Sequence, residues 1–231
     1  MDPTLVRADR TTEAIVHASR MQWIASPEAG VERRPLERIG GEVAIASTIV
    51  RYRPHSRFPR HVHEAGEEFL VLEGEFRDEH GRYPAGTYVR NPPGSAHAPF
   101  SDTGCVIFVK LRQMRPDDTL TLRTSFAELE WAPSGDAGIA RAPLCAVGGT
   151  TVRMERFGAG ARRAPREIEG GEELLVVGGS LQLPARRGTV LQGWDWLRNP
   201  GRRSVEIVSP DGALVWRKTG HLAAGEGASA A

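Results

Sequence analysis

Apolar residues along this chain come in short runs rich in β-branched and aromatic members, without the three-to-four-residue spacing of an amphipathic helix. Val43–Tyr52, Glu68–Glu73, Thr87–Arg90 and Val106–Leu111 are such runs, the composition of buried strands. Asp78-Glu79-His80-Gly81 and Pro92-Pro93-Gly94 separate them. These are turn sequences, in which proline fixes one dihedral and glycine supplies the unusual one. The pattern predicts an all-β chain. Residues 1–20 read as a short helix or an arm. Residues 115–130 read as a linker that carries the first strand of a second domain, and Leu222–Ala231, small and polar, as a disordered tail.

The pattern is also written twice. Trp23, Gly30, Pro35, Leu36, Gly40 and Gly41 recur as Trp131, Gly138, Pro143, Leu144, Gly148 and Gly149. Arg90-Asn91-Pro92 recurs as Arg198-Asn199-Pro200, and Glu67-Glu68 as Glu172-Glu173. Ser101, Gly104 and Lys110 return as Ser209, Gly212 and Lys218. Register kept over a whole domain length means duplication, and each copy has the size of one jelly-roll barrel. The layout expected is an arm at 1–22, a first barrel at 23–115, a second at 116–220 and a flexible tail at 221–231.

Composition narrows the picture modestly. A chain of 231 residues with 26 glycines and 16 prolines suits loop-rich β domains. The net charge of +1 gives no field of one sign to recruit nucleic acid or an anionic membrane. Residues 1–25 lack the apolar core of a signal peptide, and no window approaches a membrane span. Cys105 and Cys145 are the 2 cysteines, too few for a disulfide scaffold, so a reducing cytoplasmic home is expected. Cys105, at a strand start, should be a buried inert thiol.

The chemistry concentrates in one stretch. His61 and His63 are two residues apart in strand-like sequence, which puts both rings on one face roughly 6.5 Å apart. Glu67 follows after Gly66, which permits the bend a chelating loop needs, and His97 arrives on a later segment. Three neutral imidazoles and a carboxylate suit one divalent transition metal per chain, with iron, zinc and nickel all compatible. By strand parity, Glu68 and Glu73 should face away if Glu67 faces in. His55 and His80 read as surface turn residues, and His17 and His221 as lying outside the barrels. Phe58, Tyr88, Phe100 and Phe108 are candidates for the pocket wall or for core packing.

These residues resemble the cupin superfamily. His61, His63, Glu67 and Gly74 fill the first half of its motif, and Gly86, Pro92, Gly94 and His97 the second. Ser56 and Ser101 stand where the motif has Gly and Asn; neither position donates to the metal. Glu67-Glu68-Phe69-Leu70-Val71-Leu72-Glu73-Gly74, Asp78-Glu79-His80-Gly81 and the run from Gly104 to Leu111 are similar to the ChrR-like cupin family in particular. That resemblance implies a bicupin of two tandem double-stranded β-helix barrels. It also implies a metal-dependent dioxygenase-like enzyme whose substrate chelates the metal through adjacent oxygens, with no separate general base visible. The alternative it implies is a regulatory cupin of the ChrR anti-sigma type. Such proteins carry a sigma-binding helical domain with its own His and Cys ligands, whereas residues 1–25 here hold His17 alone. A small-molecule ligand and, by analogy with the fold, a homodimer are expected.

The second copy has lost the donors. His61 aligns with Arg166, His63 with Ile168 and His97 with a position near Val205, while Glu172 survives. The sequence therefore predicts a metal-free second barrel, with Arg166 as the cationic partner that the buried Glu172 would otherwise lack.

Overall fold

The computed structural model describes residues 4–41 and 43–222. Its contacts divide the chain into two units. One comprises residues 1–8 and 21–129, the other 9–20 and 130–231. Each is a jelly-roll barrel of antiparallel strands, so the duplication and the all-β class read from the sequence are both present.

In the first unit the main sheet runs in the order Leu5–Val6, Val31–Ile39, Ile45–Tyr52, Cys105–Leu111, Glu67–Asp78, Thr87–Asn91 and Leu122–Ser125. The strands Ile45–Tyr52, Cys105–Leu111 and Thr87–Asn91 are almost wholly buried. That burial is why the apolar runs made them legible in the sequence. Val31–Ile39 reads Val-Glu-Arg-Arg-Pro-Leu-Glu-Arg-Ile and escaped notice, because four of its five charged residues sit at partly exposed positions on a strand near the sheet edge, and the fifth, Glu37, is buried with a hydrogen bond from Ser47.

Glu67–Asp78 belongs to both walls of the barrel. Its first half pairs with Cys105–Leu111 and Thr87–Asn91, and its second half with Gly81–Pro84 and with Phe100. Between the halves the register with Cys105–Leu111 slips by one residue. Gly74 there adopts φ 70°, and a Cβ on it would stand 2.1 Å from the Gly104 carbonyl oxygen. Only glycine meets both demands. The barrel interior is packed by Phe69, Val71, Phe76, Tyr83, Val89, Ile107 and Val109 among others. Tyr52 and Phe76 meet edge to face at 5.6 Å, a geometry worth about 0.5–1.5 kcal/mol beyond area burial.

The second unit repeats the order with Ala132–Pro133, Ile139–Val147, Thr150–Phe157, Ala213–Thr219, Glu172–Leu183, Trp196–Asn199 and Ala14–Val16. Its slip lies between Val176 and Gly178, and Gly179 repeats the conformation of Gly74 at φ 76°.

The edge strands depart from the expected layout. Leu122–Ser125 pairs with Thr87–Asn91 of the first unit, so residues 116–129 do not open the second barrel. Ala14–Val16 pairs with Trp196–Asn199 of the second unit, so residues 9–20 are no loose arm. His17 Nδ1 lies 2.8 Å from Asp195 Oδ2, and His221 Nε2 2.8 Å from Glu173 Oε2. Both histidines are therefore built into the second unit and are not outside it. Leu222 is buried, and the rest of the expected tail, residues 223–231, lies outside the described residues.

Candidate metal centre

His61–Val62 pairs with Ala96–His97 in a register that sets His61 directly across from His97. The His63 N–H donates to Ser95 O at 2.8 Å, and the Gly94 N–H to His63 O at 2.9 Å, holding His63 beside that pair. Gly66, at φ 77°, turns the chain and delivers Glu67 to the first position of Glu67–Asp78. A Cβ on Gly66 would lie 2.4 Å from Met114 Sδ, so both dihedral and space demand glycine. Val62, between the two histidines, is exposed.

The donor atoms converge. His61 Nε2 and His63 Nε2 are 3.2 Å apart. Glu67 Oε1 is 3.5 Å from His63 Nε2 and 3.5 Å from His97 Nε2. One atom from each of His61, His63, Glu67 and His97 lies within 4.8 Å of all the others. Donors bound to one ion at about 2.1 Å stand roughly 3.0–3.4 Å apart at right to tetrahedral angles; the 3.2 Å separation lies in that range and the two of 3.5 Å just beyond it.

Hydrogen bonding on the far side of each ring fixes which nitrogen faces inward. His61 Nδ1 is 2.9 Å from the Pro59 carbonyl oxygen, which only accepts, so a neutral His61 carries its proton there. Ser95 Oγ donates to Pro92 O at 2.6 Å, which leaves it to accept from His63 Nδ1 at 3.1 Å. His97 Nδ1 donates to Asp78 Oδ2 at 3.0 Å. In their neutral forms all three rings therefore aim Nε2 lone pairs at one point. Lone pairs 3.2 Å apart with no proton between them repel, and a cation between them removes the repulsion. The residues fit a metal.

Surrounding charge supports this. Asp78 also accepts from His80 N at 2.8 Å, Gly81 N at 3.0 Å and the Tyr83 hydroxyl at 3.0 Å. Burial alone would raise its pKa, but these bonds and the one from His97 hold it below the usual carboxylate range. Burial likewise works against a charged His97, and Asp78 with Glu67 outweighs it, so His97 stands above the ordinary histidine value. His63, for which burial dominates over Glu67, stands below. Asn91 Nδ2 donates to Glu67 Oε1 at 3.2 Å and orients the carboxylate.

The centre opens on a cavity of about 360 Å³ whose wall includes Val31, Val50, Phe58, Phe76 and Ile107. Phe58 stacks edge-on against His61 at 5.2 Å. Of the other aromatic candidates, Tyr88 and Phe108 lie on the opposite face of the sheet and Phe100 packs under Arg57. Glu68 faces away as expected, accepting from the Tyr88 hydroxyl at 2.6 Å. Glu73 is exposed, as are His55 and His80. Cys105 is buried, and burial pushes its thiol up to about 12.

The second barrel corrects one expectation. Arg166 does not reach Glu172; it is exposed and pairs with Asp136 at 2.6 Å. The cationic replacement comes from Arg163 and Arg217, whose Nη2 atoms lie 3.1 and 2.7 Å from Glu172 Oε2. Both also pair with Glu155, at 2.8 and 3.2 Å, and Arg153 adds a bond to Glu155 at 2.7 Å. By strand register, Arg163, Glu155 and Arg217 occupy the positions that Phe58, Val50 and Val109 hold around the first barrel's cavity. An ionic network thus stands where the first barrel keeps space. Sequence alignment around His61 pointed to the wrong arginine because the relevant ones sit on neighbouring strands.

Both halves of the chain match the family profile described as ChrR Cupin-like domain, over residues 11–115 and 121–223. No curated protein matches the sequence. Among solved structures, a proposed dioxygenase from Nostoc punctiforme superposes with a TM-score of 0.68 at 13% identity, covering 94% of this chain and 82% of that one. Protein YlbA from Escherichia coli gives 0.71 at 12%, covering 91% and 92%. The pirin YhhW from the same organism, solved with nickel(II), gives 0.65 at 14%, covering 90% and 98%. At such identities the likeness is one of fold.

Proposed function

Since the chain belongs to the ChrR Cupin-like domain family, we propose that its first barrel holds one divalent metal and acts there as a dioxygenase-like enzyme on a small, oxygen-chelating substrate. His61, His63, Glu67 and His97 would be the protein ligands. The observation that carries this reading is the position of those donors on the wall of an open cavity, which leaves room for a ligand beside the ion. A metal bound there supplies Lewis acidity and, if redox-active, a site for dioxygen chemistry. The neighbouring residues do the rest. Asp78 and Ser95 hold His97 and His63 in the ligating tautomer, and Asn91 fixes Glu67. Phe58, Val50 and Ile107 exclude water from the reacting end of a substrate. The Nostoc protein described as a dioxygenase and the nickel-bound pirin give the reading support by analogy of fold.

A regulatory cupin of the ChrR anti-sigma kind is the competing reading, for which the family description speaks. The test is elemental analysis of protein purified without chelators or a nickel column, followed by oxygen uptake on 1,3-diketones and hydroxyaryl ketones. About one metal per chain with oxygen consumption supports the enzyme. One zinc per chain with no turnover supports the regulator, and no metal defeats both.

A further inference from the structure

Arg33 is the cavity residue that the proposed chemistry leaves unexplained. It lies on Val31–Ile39, opposite Val50 in register. Its parity is that of Val31, so it lines the cavity, while Arg34 turns out to stack on Trp23 at 4.1 Å. Among the described residues, no carboxylate or hydrogen-bond acceptor reaches the Arg33 guanidinium. Every other charged group in the wall has a partner or a task. Arg112 pairs with Glu64 at 2.6 Å, Arg38 donates to the Gly40 and Gly41 carbonyl oxygens, and Glu67 belongs to the metal centre. Burial disfavours the charge on Arg33 and Arg38 adds repulsion; Tyr52 and Glu28 act the other way at longer range, more weakly and without an ion pair or hydrogen bond, so the net shift is downward. A guanidinium does not shed its proton in a protein, so it stays a cation in need of an anion. The neighbouring wall is apolar, with Val43 and Val62 exposed at 64% and 56% among the residues that line the cavity.

We propose that Arg33 is a specificity-determining residue that binds a carboxylate of the substrate, so that the ligand class is a small organic acid with a metal-chelating oxygen pair and a second, distal carboxylate. Planar guanidinium and planar carboxylate match in a two-point hydrogen-bonded pair. In a half-buried site that pair is stronger than one at the open surface. The inference rests on the metal-binding reading above and adds the chemistry of the far end.

The experiment is calorimetric titration of the metal-loaded full chain with 2-oxo acids of matched length, with and without a distal carboxylate. The probes are 2-oxosuccinate against 2-oxobutanoate, 2-oxoglutarate against 2-oxopentanoate, and 2-oxoadipate against 2-oxohexanoate. In at least one pair the dicarboxylate should bind tenfold or more tighter. Arg33→Gln should abolish that preference with metal content and thermal midpoint unchanged, and Arg33→Lys should keep part of it. Metal-loaded protein with no preference in any pair, or a preference that survives Arg33→Gln, overturns the assignment and leaves the metal reading standing. Protein that takes up no metal overturns both. If Arg33→Gln fails to fold, the wild-type comparison across the three pairs still decides the matter.

Discussion

Three imidazoles reach the centre through Nε2 because three different acceptors claim Nδ1: a backbone carbonyl at Pro59, a hydroxyl at Ser95 and a carboxylate at Asp78. These partners set ring orientation before any ion arrives, which lowers the cost of organising the site. His61→Ala or His97→Ala should remove most of the metal from purified protein, read by elemental analysis against the parent. Asp78→Asn should keep the ligands yet weaken metal affinity roughly 10–100-fold, measured by competition with a chelator of known strength. At the same scale, Cys105 should stay silent toward an aqueous thiol reagent at neutral pH, since its thiol is buried and shifted to about 12, and react once the protein is denatured. Rapid labelling of Cys105 in the folded state would contradict the packing described.

Glu67–Asp78 shows how one element serves the site at both ends. Glu67 opens it as a candidate ligand and Asp78 closes it as the partner of His97. The two are eleven positions apart, a spacing that sets residues on opposite faces of a regular strand, yet both turn toward the centre. The register slip at Val106/Ile107 and the bend at Gly74 shift the parity between them. Gly74→Ala should therefore destabilise the fold by on the order of 1–3 kcal/mol or more, from the strained dihedral and the collision with Gly104 O together. Urea denaturation should show a lower midpoint at unchanged slope. A midpoint equal to the parent's would mean that the bend is not needed. The sequence told of Glu67 through its motif, whereas Asp78 read only as a turn residue, because parity counted from Glu67 sends it to the wrong face.

At the scale of the whole molecule, the two barrels solve one electrostatic problem in two ways. Glu67 and Glu172 are both buried carboxylates. In the first barrel the donor set around Glu67 suits a metal ion; in the second, Arg163 and Arg217 neutralise Glu172 together with Glu155. Burial raises the Glu155 pKa, but the arginines outweigh it and bring it from 4.5 to about 2. A folded-state pKa below the unfolded one contributes stability that is present above about 4.5 and lost as the pH falls toward about 2. Glu155→Gln should thus destabilise the protein clearly at pH 7, with the gap to the parent closing across that acid window in thermal melts. A gap that stays constant with pH would remove the ionic account. Metal should raise the melting temperature by mass action, about 2.7 kcal/mol at a free concentration one hundred times Kd, and chelation should reverse it.

The sequence alone determined the all-β class and the duplication and pointed to the four candidate donors, since strand burial, turn chemistry, motif spacing and a repeat at fixed offset are all read along the chain without knowing which strands meet. It also settled that the second copy lacks those donors, because Ile168 has nothing to coordinate with. Which arginines neutralise Glu172, that Asp78 supports His97, that residues 9–20 complete the second barrel and that Arg33 faces the cavity were decided by tertiary structure. Each depends on which strands lie side by side and on where a bulge inverts their faces. Those relations join residues far apart in the chain, and no local period encodes them.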